Sequence, residues 1–291
     1  MSDIETPDMA QRKQQVARLF GRAATTYDRI GPRFFSHFGR RLVEIAEIST
    51  GSRVLDVATG RGAVLFPAVE CVGPHGRVTG IDLSEAMVQE TARELAVRRL
   101  SAISSVRLMD AEALEFPDES FDYVLCGFAI FFFPRLYHAM SEFRRVLKHN
   151  GRVCVTTWGK APDGQWDWLD KIIEAYLPPE PEINPGNETP ISPQPEFDSP
   201  TGLTAILNEA GFHKVQIYQE AADFTYASEE ECWSTWWSHG RREILESIEQ
   251  TKGVEGLEEF KLEVFKYLTK MRQTGGLHES FHVHVGLGTK P

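Results

Sequence analysis

Short apolar runs rich in β-branched residues alternate, over residues 53–158, with segments in which apolar residues return every three or four positions. Runs of this length and composition predict strands that are buried on both faces of a sheet. The five runs are RVLDVA (53–58), GRVTGID (76–82), SVRLMD (105–110), FDYVLCG (121–127) and GRVCVTTW (151–158). The Asn150-Gly151 pair predicts a turn into the fifth strand, because this dipeptide favours turns.

The segments between the runs have the spacing of helices. Two apolar faces show it, one formed by Val88, Ala92 and Leu95, the other by Leu136, Met140, Phe143 and Leu147. Residues spaced in this way lie on one side of a helix. Strands that alternate with helices predict an α/β fold, a doubly wound parallel sheet with helices on both faces.

A glycine-containing turn ends the first predicted strand, in VLDVATGRG (54–62). Gly60 and Gly62 allow the backbone to pass close to a ligand, and a helix starting near Ala63 would point free N–H groups at an anion. A dinucleotide fingerprint requires a glycine at position 65, which is Leu65 here. An NAD-dependent dehydrogenase is therefore disfavoured.

Acidic residues lie at the ends of the predicted strands. Asp82 closes the second strand, where a carboxylate can accept from both hydroxyls of a ribose, and Asp110 closes the third, where it can accept from an adenine amino group. Asp56 lies inside the glycine motif and can oppose a cationic group. A ligand that carries an adenosine, a positive centre and a carboxylate matches this set.

In this order the motifs resemble those of the class I S-adenosylmethionine-dependent methyltransferases, in the group of the ubiquinone and menaquinone methyltransferases. The matching stretches are VLDVATGRG, GIDLSEAMV (80–88), DAEALEFPDESFDYVLCGFAI (110–130) and FRRVLKHNGRVCVTTWG (143–159). GFHKVQIYQE (211–220) and ESFHVHVGLGTKP (279–291) resemble the last two strands of that fold. The resemblance implies a mostly parallel, seven-stranded, Rossmann-like sheet and S-adenosylmethionine as the cofactor.

The resemblance also implies the cofactor contacts. Asp82 would hold the ribose and Asp110 the adenine. The other contacts it implies are Tyr27, Asp56, Ala58, Thr59, Gly60, Gly62, Leu83, Met87, Ala111, Glu112, Gly127 and Phe128. Of the apolar segment FAIFFF (128–133), only Phe128 is assigned to the site.

Three features bear on how far the properties of the family apply to this chain. Ala58 stands where the family usually has glycine, a change that a negative φ accommodates and a positive φ does not. The quinone enzymes have FG-x-R-N after the fourth strand, whereas this chain has GFAIFFFP (127–134), which puts a quinone acceptor in doubt. Tyr27 resembles a lid tyrosine that closes over the methionine end of the cofactor. The alternative is that Tyr27 only packs among the N-terminal helices.

Methyl transfer from a sulfonium requires alignment and exclusion of water, and it requires no metal. A hydroxyl, enol or carbon acceptor would need a base. Tyr27, His239 and His282 are the predicted catalytic residues, and His278 and Glu279 are further candidates for the base.

The segments outside the motifs predict a cap over the site. All six tryptophans follow residue 157, and an aromatic lining suits a flat or apolar small molecule. Residues 178–200 hold eight of the sixteen prolines and predict an extended loop. The predicted segments are lid helices (1–48), the cofactor-binding core (49–160), a proline-rich loop and cap segment (161–200), a core helix and strand (201–226), a helical cap insertion (227–277) and a final core strand (278–291).

The predicted function is transfer of a methyl group from S-adenosylmethionine to an oxygen or carbon of a largely apolar or aromatic small molecule, in specialised metabolism. The alternative is a protein of the same fold that binds S-adenosylmethionine and catalyses a cyclisation or decarboxylation without moving the methyl group.

Net charge and cysteine spacing indicate which partners and which cellular compartment to expect. The formal net charge of −11 makes nucleic acid and anionic membranes poor partners. The four cysteines form no CxxC pair, which favours a cytoplasmic protein without a structural zinc site. The apolar runs are too short to cross a membrane. Self-association into a homo-oligomer stays open.

Overall fold

A computed structural model describes residues 6–160, 164, 166–177 and 196–291. Its central sheet has the strand order β3-β2-β1-β4-β5-β8-β6, and β5 to β8 and β8 to β6 are the antiparallel pairs of this path. A two-residue strand, β7, pairs with β8 outside this path and was not predicted. The strands are β1 (Arg53–Val57), β2 (Arg77–Asp82), β3 (Ser104–Leu108), β4 (Phe121–Gly127), β5 (Leu147–Trp158), β6 (His213–Tyr226), β7 (Arg272–Gln273) and β8 (Gly276–Thr289).

All five strands predicted from the apolar runs are present, so the mostly parallel sheet is confirmed. The predicted turn at Asn150-Gly151 is wrong in its place, because β5 begins at Leu147 and continues through both residues. Asn150 has φ 60°, and the pairing of β4 with β5 shifts its register between Phe121 and Tyr123. The dipeptide thus marks an irregularity inside a strand.

Helices cover both faces of the sheet. Alternate strand residues point to opposite sides, so Leu55 and Val57 belong to a core with α5 and α7, while Val54 belongs to a core with α2 and α3. The helices are α1 (Pro7–Ala23), α2 (Phe34–Ala46), α3 (Leu65–Val72), α4 (Glu85–Val97), α5 (Leu136–Val146), α6 (Asp167–Tyr176), α7 (Pro200–Glu209), α8 (Glu229–Trp237) and α9 (Arg242–Met271).

The predicted buried face of α5 is confirmed. The predicted buried face of α4 is right only at Leu95. Leu136, Met140 and Phe143 are fully or nearly buried on α5. On α4, however, the buried residues are Met87, Thr91 and Leu95, and Ala92 is exposed. Thr91 can be buried because its hydroxyl donates to the carbonyl oxygen of Gly60 at 2.6 Å.

A third core lies among α6, α8 and α9, beside the far end of the β6–β8 pair. It contains Trp233, Trp236, Phe260 and Leu268, and Trp166, Trp168 and Trp237 pack against it. The helix α9 is interrupted at Gly253, where φ is 74°. The helices α8 and α9 lie in the segment predicted as a helical cap insertion (227–277), and α6 lies in the predicted loop and cap segment (161–200); the segment boundaries remain predictions.

Residues 178–195 of the predicted proline-rich loop lie outside the described residues. Within the described part of the chain, no helix is both long and apolar enough to cross a membrane. The same residues contain no cluster of three or more histidine, cysteine or acidic side chains that could hold a metal ion.

Candidate active site

The loop between β1 and α3 has three residues with left-handed backbone, Ala58, Gly60 and Gly62, with φ of 54°, 51° and 80°. Glycine adopts this conformation readily, whereas an alanine there is strained by about 1–2 kcal/mol. The alanine at position 58 therefore adopts the left-handed conformation despite its Cβ. The loop therefore holds Ala58 in this conformation at an energetic cost.

Asp82 holds this loop from the end of β2. Its Oδ2 accepts the N–H of Gly60 at 2.8 Å, and its Oδ1 accepts the N–H of Ser84 at 2.8 Å. Burial raises the pKa of the Asp82 carboxyl to about 6, although these backbone N–H groups favour the charged form. A carboxylate offers about four lone-pair directions, so acceptor capacity remains for a hydroxyl donor.

Asp56 and Thr59 lie beneath the loop. The Thr59 hydroxyl donates to Asp56 Oδ2 at 2.5 Å, and Asp56 is almost fully buried. Burial raises the pKa of the Asp56 carboxyl to about 7. Neither residue lines the cavities that border this loop, and the expected contact of Asp56 with a cationic group stays a prediction.

A cavity of about 790 Å³ opens at the carboxyl ends of β1 to β4, and we call it the strand-end cavity. Most of the predicted cofactor contacts line it. They are Tyr27, Ala58, Gly60, Asp82, Leu83, Met87, Asp110, Ala111, Glu112, Gly127 and Phe128. Gly62 does not. It lines a separate cavity with several arginines on the other side of the loop.

The acidic end of the strand-end cavity is already paired with cations. Lys13 Nζ lies 2.7 Å from Asp110 Oδ2 and 2.6 Å from Glu112 Oε2. Glu112 also accepts from the backbone N–H and the Nε of Arg135, at 2.7 and 2.8 Å. Asp110 and Glu112 are therefore part of a charge network that reaches the N-terminal helix.

A second cavity of about 1110 Å³ adjoins the first, and we call it the aromatic cavity. The rings of Phe34 and Phe281 stack with centroids 4.5 Å apart, and Phe128 and Trp158 lie 4.4 Å apart. Four residues line both cavities: Phe20, Tyr27, Phe128 and Phe132.

Tyr27 lies in this shared wall. Its ring stacks on Phe35 with centroids 4.9 Å apart, and an added Cβ on Gly60 would lie 4.0 Å from the ring. Burial, with the negative charges of Asp28 and Asp82, raises the pKa of the Tyr27 phenol well above 10. The hydroxyl therefore stays protonated and can donate a hydrogen bond.

The three candidate histidines do not all lie at the same cavity. His239 and His282 line the aromatic cavity, whereas His278 does not. Burial, with the charge of Arg241, lowers the pKa of His239 to about 3, so its imidazole is neutral. His278 lies within hydrogen-bond distance of Thr225 Oγ1 and the Thr274 carbonyl instead.

Glu279 also lines the aromatic cavity, and its carboxyl is nearly fully buried. Tyr226 donates to Glu279 Oε2 at 2.7 Å, and Arg241 Nη2 lies 3.7 Å from Oε1. Burial raises the pKa of the carboxyl. Glu279 thus has structural partners in addition to its position at the cavity.

Several lining residues were not predicted. On α1, Lys13, Val16, Ala17 and Phe20 line the strand-end cavity, and their i, i+3, i+4, i+7 spacing could have revealed them. In the apolar segment 128–133, Phe131 and Phe132 line the aromatic cavity in addition to Phe128. Of the tryptophans, Trp158 and Trp166 line it, and the other four do not.

Comparison with known proteins identifies the family. A family described as "Methyltransferase domain" matches residues 55–155. Nocamycin O-methyltransferase of Saccharothrix syringae is 34% identical over 79% of this chain and 84% of that protein. Aklanonic acid methyltransferase DauC of Streptomyces sp. (strain C5) is 45% identical over 50% of this chain and 66% of that protein, slightly less than two thirds of its length.

Among solved structures, the YcgJ protein of Bacillus subtilis has the same fold. The alignment has a TM-score of 0.56 and 19% identity and covers 87% of this chain and 98% of that one. The chain belongs to the S-adenosylmethionine-dependent methyltransferases that act on small molecules.

The strand-end cavity fits the cofactor of this family. Asp82 has acceptor capacity for a ribose, Asp110 can accept from an amino group, and Leu83, Met87 and Met109 provide apolar surface for a base.

Proposed function

We propose that the protein transfers a methyl group from S-adenosylmethionine to an oxygen or carbon of a largely apolar or aromatic small molecule. The observation that carries this proposal is the shared wall of the two cavities, formed by Phe20, Tyr27, Phe128 and Phe132. Because these four residues line both cavities, molecules bound in the two cavities would lie next to each other. Displacement at a methyl carbon requires the acceptor atom in line and within about 3–3.5 Å.

The chain's own residues would hold the cofactor from three sides. Asp82 would accept from the ribose hydroxyls, Asp110 with Ala111 would contact the adenine, and the loop from Ala58 to Gly60 would border the methionine portion. When bound, the cofactor supplies a methyl group that is already activated by its sulfonium. The protein's task is then alignment and exclusion of water.

The aromatic cavity supports a flat acceptor. Its lining is mostly phenylalanine and tryptophan, whose faces favour stacking with a planar ring. The two curated relatives are named for aklanonic acid and nocamycin, which supports an acceptor from specialised metabolism. Demethylmenaquinone methyltransferase of Staphylococcus aureus is also similar, at 35% identity over 52% of this chain, but this chain has GFAIFFFP (127–134) in place of the FG-x-R-N motif of the quinone enzymes, which disfavours a quinone acceptor.

The predicted catalytic residues do not include a strong base. Tyr27 stays protonated because its pKa is raised, and His239 binds a proton weakly because its pKa is about 3. We therefore assign Tyr27 and His239 to orienting the acceptor and leave His282 as the candidate for proton transfer. This arrangement favours acceptors that ionise readily, such as phenols and enols.

The test is incubation of the purified protein with methyl-labelled S-adenosylmethionine and a panel of phenols, prenylated compounds and polyketides. We expect label in a product whose mass has grown by one methylene group. The Asp82→Ala variant, assayed at the same cofactor concentration, should yield much less. A wild-type protein that binds the cofactor and labels no member of a broad panel would contradict the proposal.

The alternative, a cyclisation or decarboxylation with the cofactor unconsumed, is weaker because the two curated relatives described above are named as methyltransferases. Mass analysis of the same reactions distinguishes it. A converted product without an added methyl group, and no S-adenosylhomocysteine formed, would favour the alternative. A cytoplasmic location, a self-associated state and the absence of nucleic-acid partners remain part of the proposal.

A further inference from the structure

One face of α1 covers the strand-end cavity. Lys13, Val16, Ala17 and Phe20 share this face, and all four line the cavity. Most of the helix is polar and exposed, and its buried residues are Lys13, Leu19 and Ala23. A lysine buried on an otherwise solvated helix requires a reason, because transfer of an ammonium group out of water is unfavourable unless it is paired.

The partners of Lys13 are the acidic residues that follow β3. The ammonium bridges Asp110 and Glu112 at 2.7 and 2.6 Å, and Glu112 also binds Arg135. Two cations, Lys13 and Arg135, thus face the carboxylates of Asp110 and Glu112. Asp110 is the more exposed of the two carboxylates, with 29% of its side chain accessible against 1% for Glu112.

Lys13 and Asp110 therefore present a hydrogen-bond donor and an acceptor side by side at the cavity wall. Adenine carries the complementary pair, since its amino group is a donor and the ring nitrogens beside it, N1 and N7, are acceptors. A donor and an acceptor fixed together select this edge over one that lacks either group.

We propose that Lys13 is a base-reading residue of the cofactor site, donating to the ring nitrogen next to the amino group that Asp110 accepts. The inference rests on the proposed function, because it needs adenosine in the strand-end cavity. It gives α1 a part in recognition of the cofactor.

The experiment measures binding by calorimetry, without turnover. S-adenosylhomocysteine and its 1-deaza and 7-deaza analogues, each with one ring nitrogen replaced by a C–H group, are titrated into wild type and Lys13→Met. We expect wild type to lose about tenfold in affinity with one analogue, and Lys13→Met to lose that much with S-adenosylhomocysteine itself. The variant should then be indifferent to the same ring substitution. The analogue that wild type rejects identifies the nitrogen as N1 or N7.

Arg12→Met is the matched control, because it removes a charge from the exposed side of the same helix. It should bind all three compounds like wild type. Lys13→Gln, which keeps an N–H donor without the charge, should lie between wild type and Lys13→Met. Melting temperatures of all variants show whether α1 remains folded.

Equal weakening of all three compounds by Lys13→Met would overturn the proposal, since it would mean that the lysine only fastens the helix. Wild-type indifference to both deaza analogues would overturn it as well. If wild type fails to bind S-adenosylhomocysteine at all, the proposed function fails first, and that result is distinguishable from both.

Discussion

The two cavities differ in how the chain builds them. The strand-end cavity is formed largely by residues 58–134, from the ends of four parallel strands, and its specific groups are carboxylates and backbone N–H groups. The aromatic cavity draws on α2, the loop after β4, the end of β5, the residues after α8, and β8. A polar site with fixed geometry thus lies beside an apolar site assembled from distant segments.

This difference indicates a division of labour. Asp82 and the left-handed loop place individual atoms, so a single change there should affect cofactor binding sharply. The rings of the aromatic cavity act together, since stacking on a planar molecule is spread over several side chains. Acceptor specificity can therefore change by exchange of rings without disturbance of the cofactor site.

The largest effect should come from the wall that both cavities share. Tyr27→Ala removes a ring that packs on Phe35 and lies next to Gly60, so alignment should suffer and turnover should fall by about 10²-fold. Cofactor affinity should change less, because Asp82 and Asp110 remain. Single-turnover rates and calorimetry measure the two quantities on one sample.

Tyr27→Phe is the control, and it should keep most of the rate, because the raised pKa of the phenol argues against a role as base. A loss of 10²-fold in Tyr27→Phe would instead show proton transfer by the hydroxyl. Normal turnover in Tyr27→Ala, with only a lower melting temperature, would mean that the residue merely packs.

A change at Asp82 should affect the strand-end cavity and leave the aromatic cavity unchanged. Asp82→Ala removes charged hydrogen bonds to the ribose and the anchor of the Gly60 N–H, so cofactor affinity should fall by about 10- to 100-fold. Acceptor binding, measured by tryptophan fluorescence, should stay the same. Cofactor affinity within threefold of wild type would contradict the placement of the ribose.

Phe281→Ala tests the other cavity. Loss of the ring that stacks on Phe34 should raise the acceptor KM by about fivefold, consistent with about 1 kcal/mol for an aromatic contact, and leave cofactor affinity unchanged. Phe224→Ala is the matched control, because Phe224 packs on Phe281 without lining the cavity. Equal effects of both changes would point to packing of β8.

Burial of the neutral His239 imidazole should make the stability of the folded protein sensitive to acid. Its pKa is about 3 in the folded protein and near 6.5 in the unfolded chain, so between these values the unfolded chain binds the extra proton. Stability conferred by the neutral imidazole is present above pH 6.5 and falls by at most about 1.4 kcal/mol per pH unit on acidification. Urea unfolding at pH 7.5 and 5.5 should show a larger loss in wild type than in His239→Asn.

Relief of strain should have the smallest effect. Ala58→Gly removes the Cβ from a left-handed residue but gives the unfolded chain more freedom, so the net stabilisation should be about 1 kcal/mol or less. Cofactor affinity should change little. Thermal unfolding measures this, and a clear destabilisation would show that the methyl group of Ala58 is needed for packing.

The sequence predicts the strand-end cavity better than the aromatic one for a physical reason. Asp82 and Asp110 end strands whose pattern is local, and parallel strands bring their carboxyl ends to one edge. Which face of α4 is buried was misjudged at Ala92, because Thr91 is buried through a hydrogen bond that hydrophobicity does not reveal. The hydrogen bond that Asp56 accepts from Thr59 within the motif was not predicted from the sequence.

The aromatic cavity needs contacts that no local pattern contains. Phe34, Trp158 and Phe281 meet only because α2, β5 and β8 converge, and His239 joins them from the end of α8. Most of the tryptophans that suggested an aromatic lining pack instead in the core of α6, α8 and α9. Composition therefore indicated aromatic character, but only Trp158 and Trp166 of the six tryptophans line the cavity.

The position of β8 sets an order in which the molecule can fold. β1 to β5 pair among themselves, whereas β8 lies between β5 and β6 and joins Arg152 to Thr289. Pairings so distant along the chain form slowly, and the ribosome delivers β8 after all the other strands. The cofactor half of the molecule can assemble during synthesis, with β5 as a temporarily open edge. The aromatic cavity is completed last, when Phe281 and His282 arrive with β8.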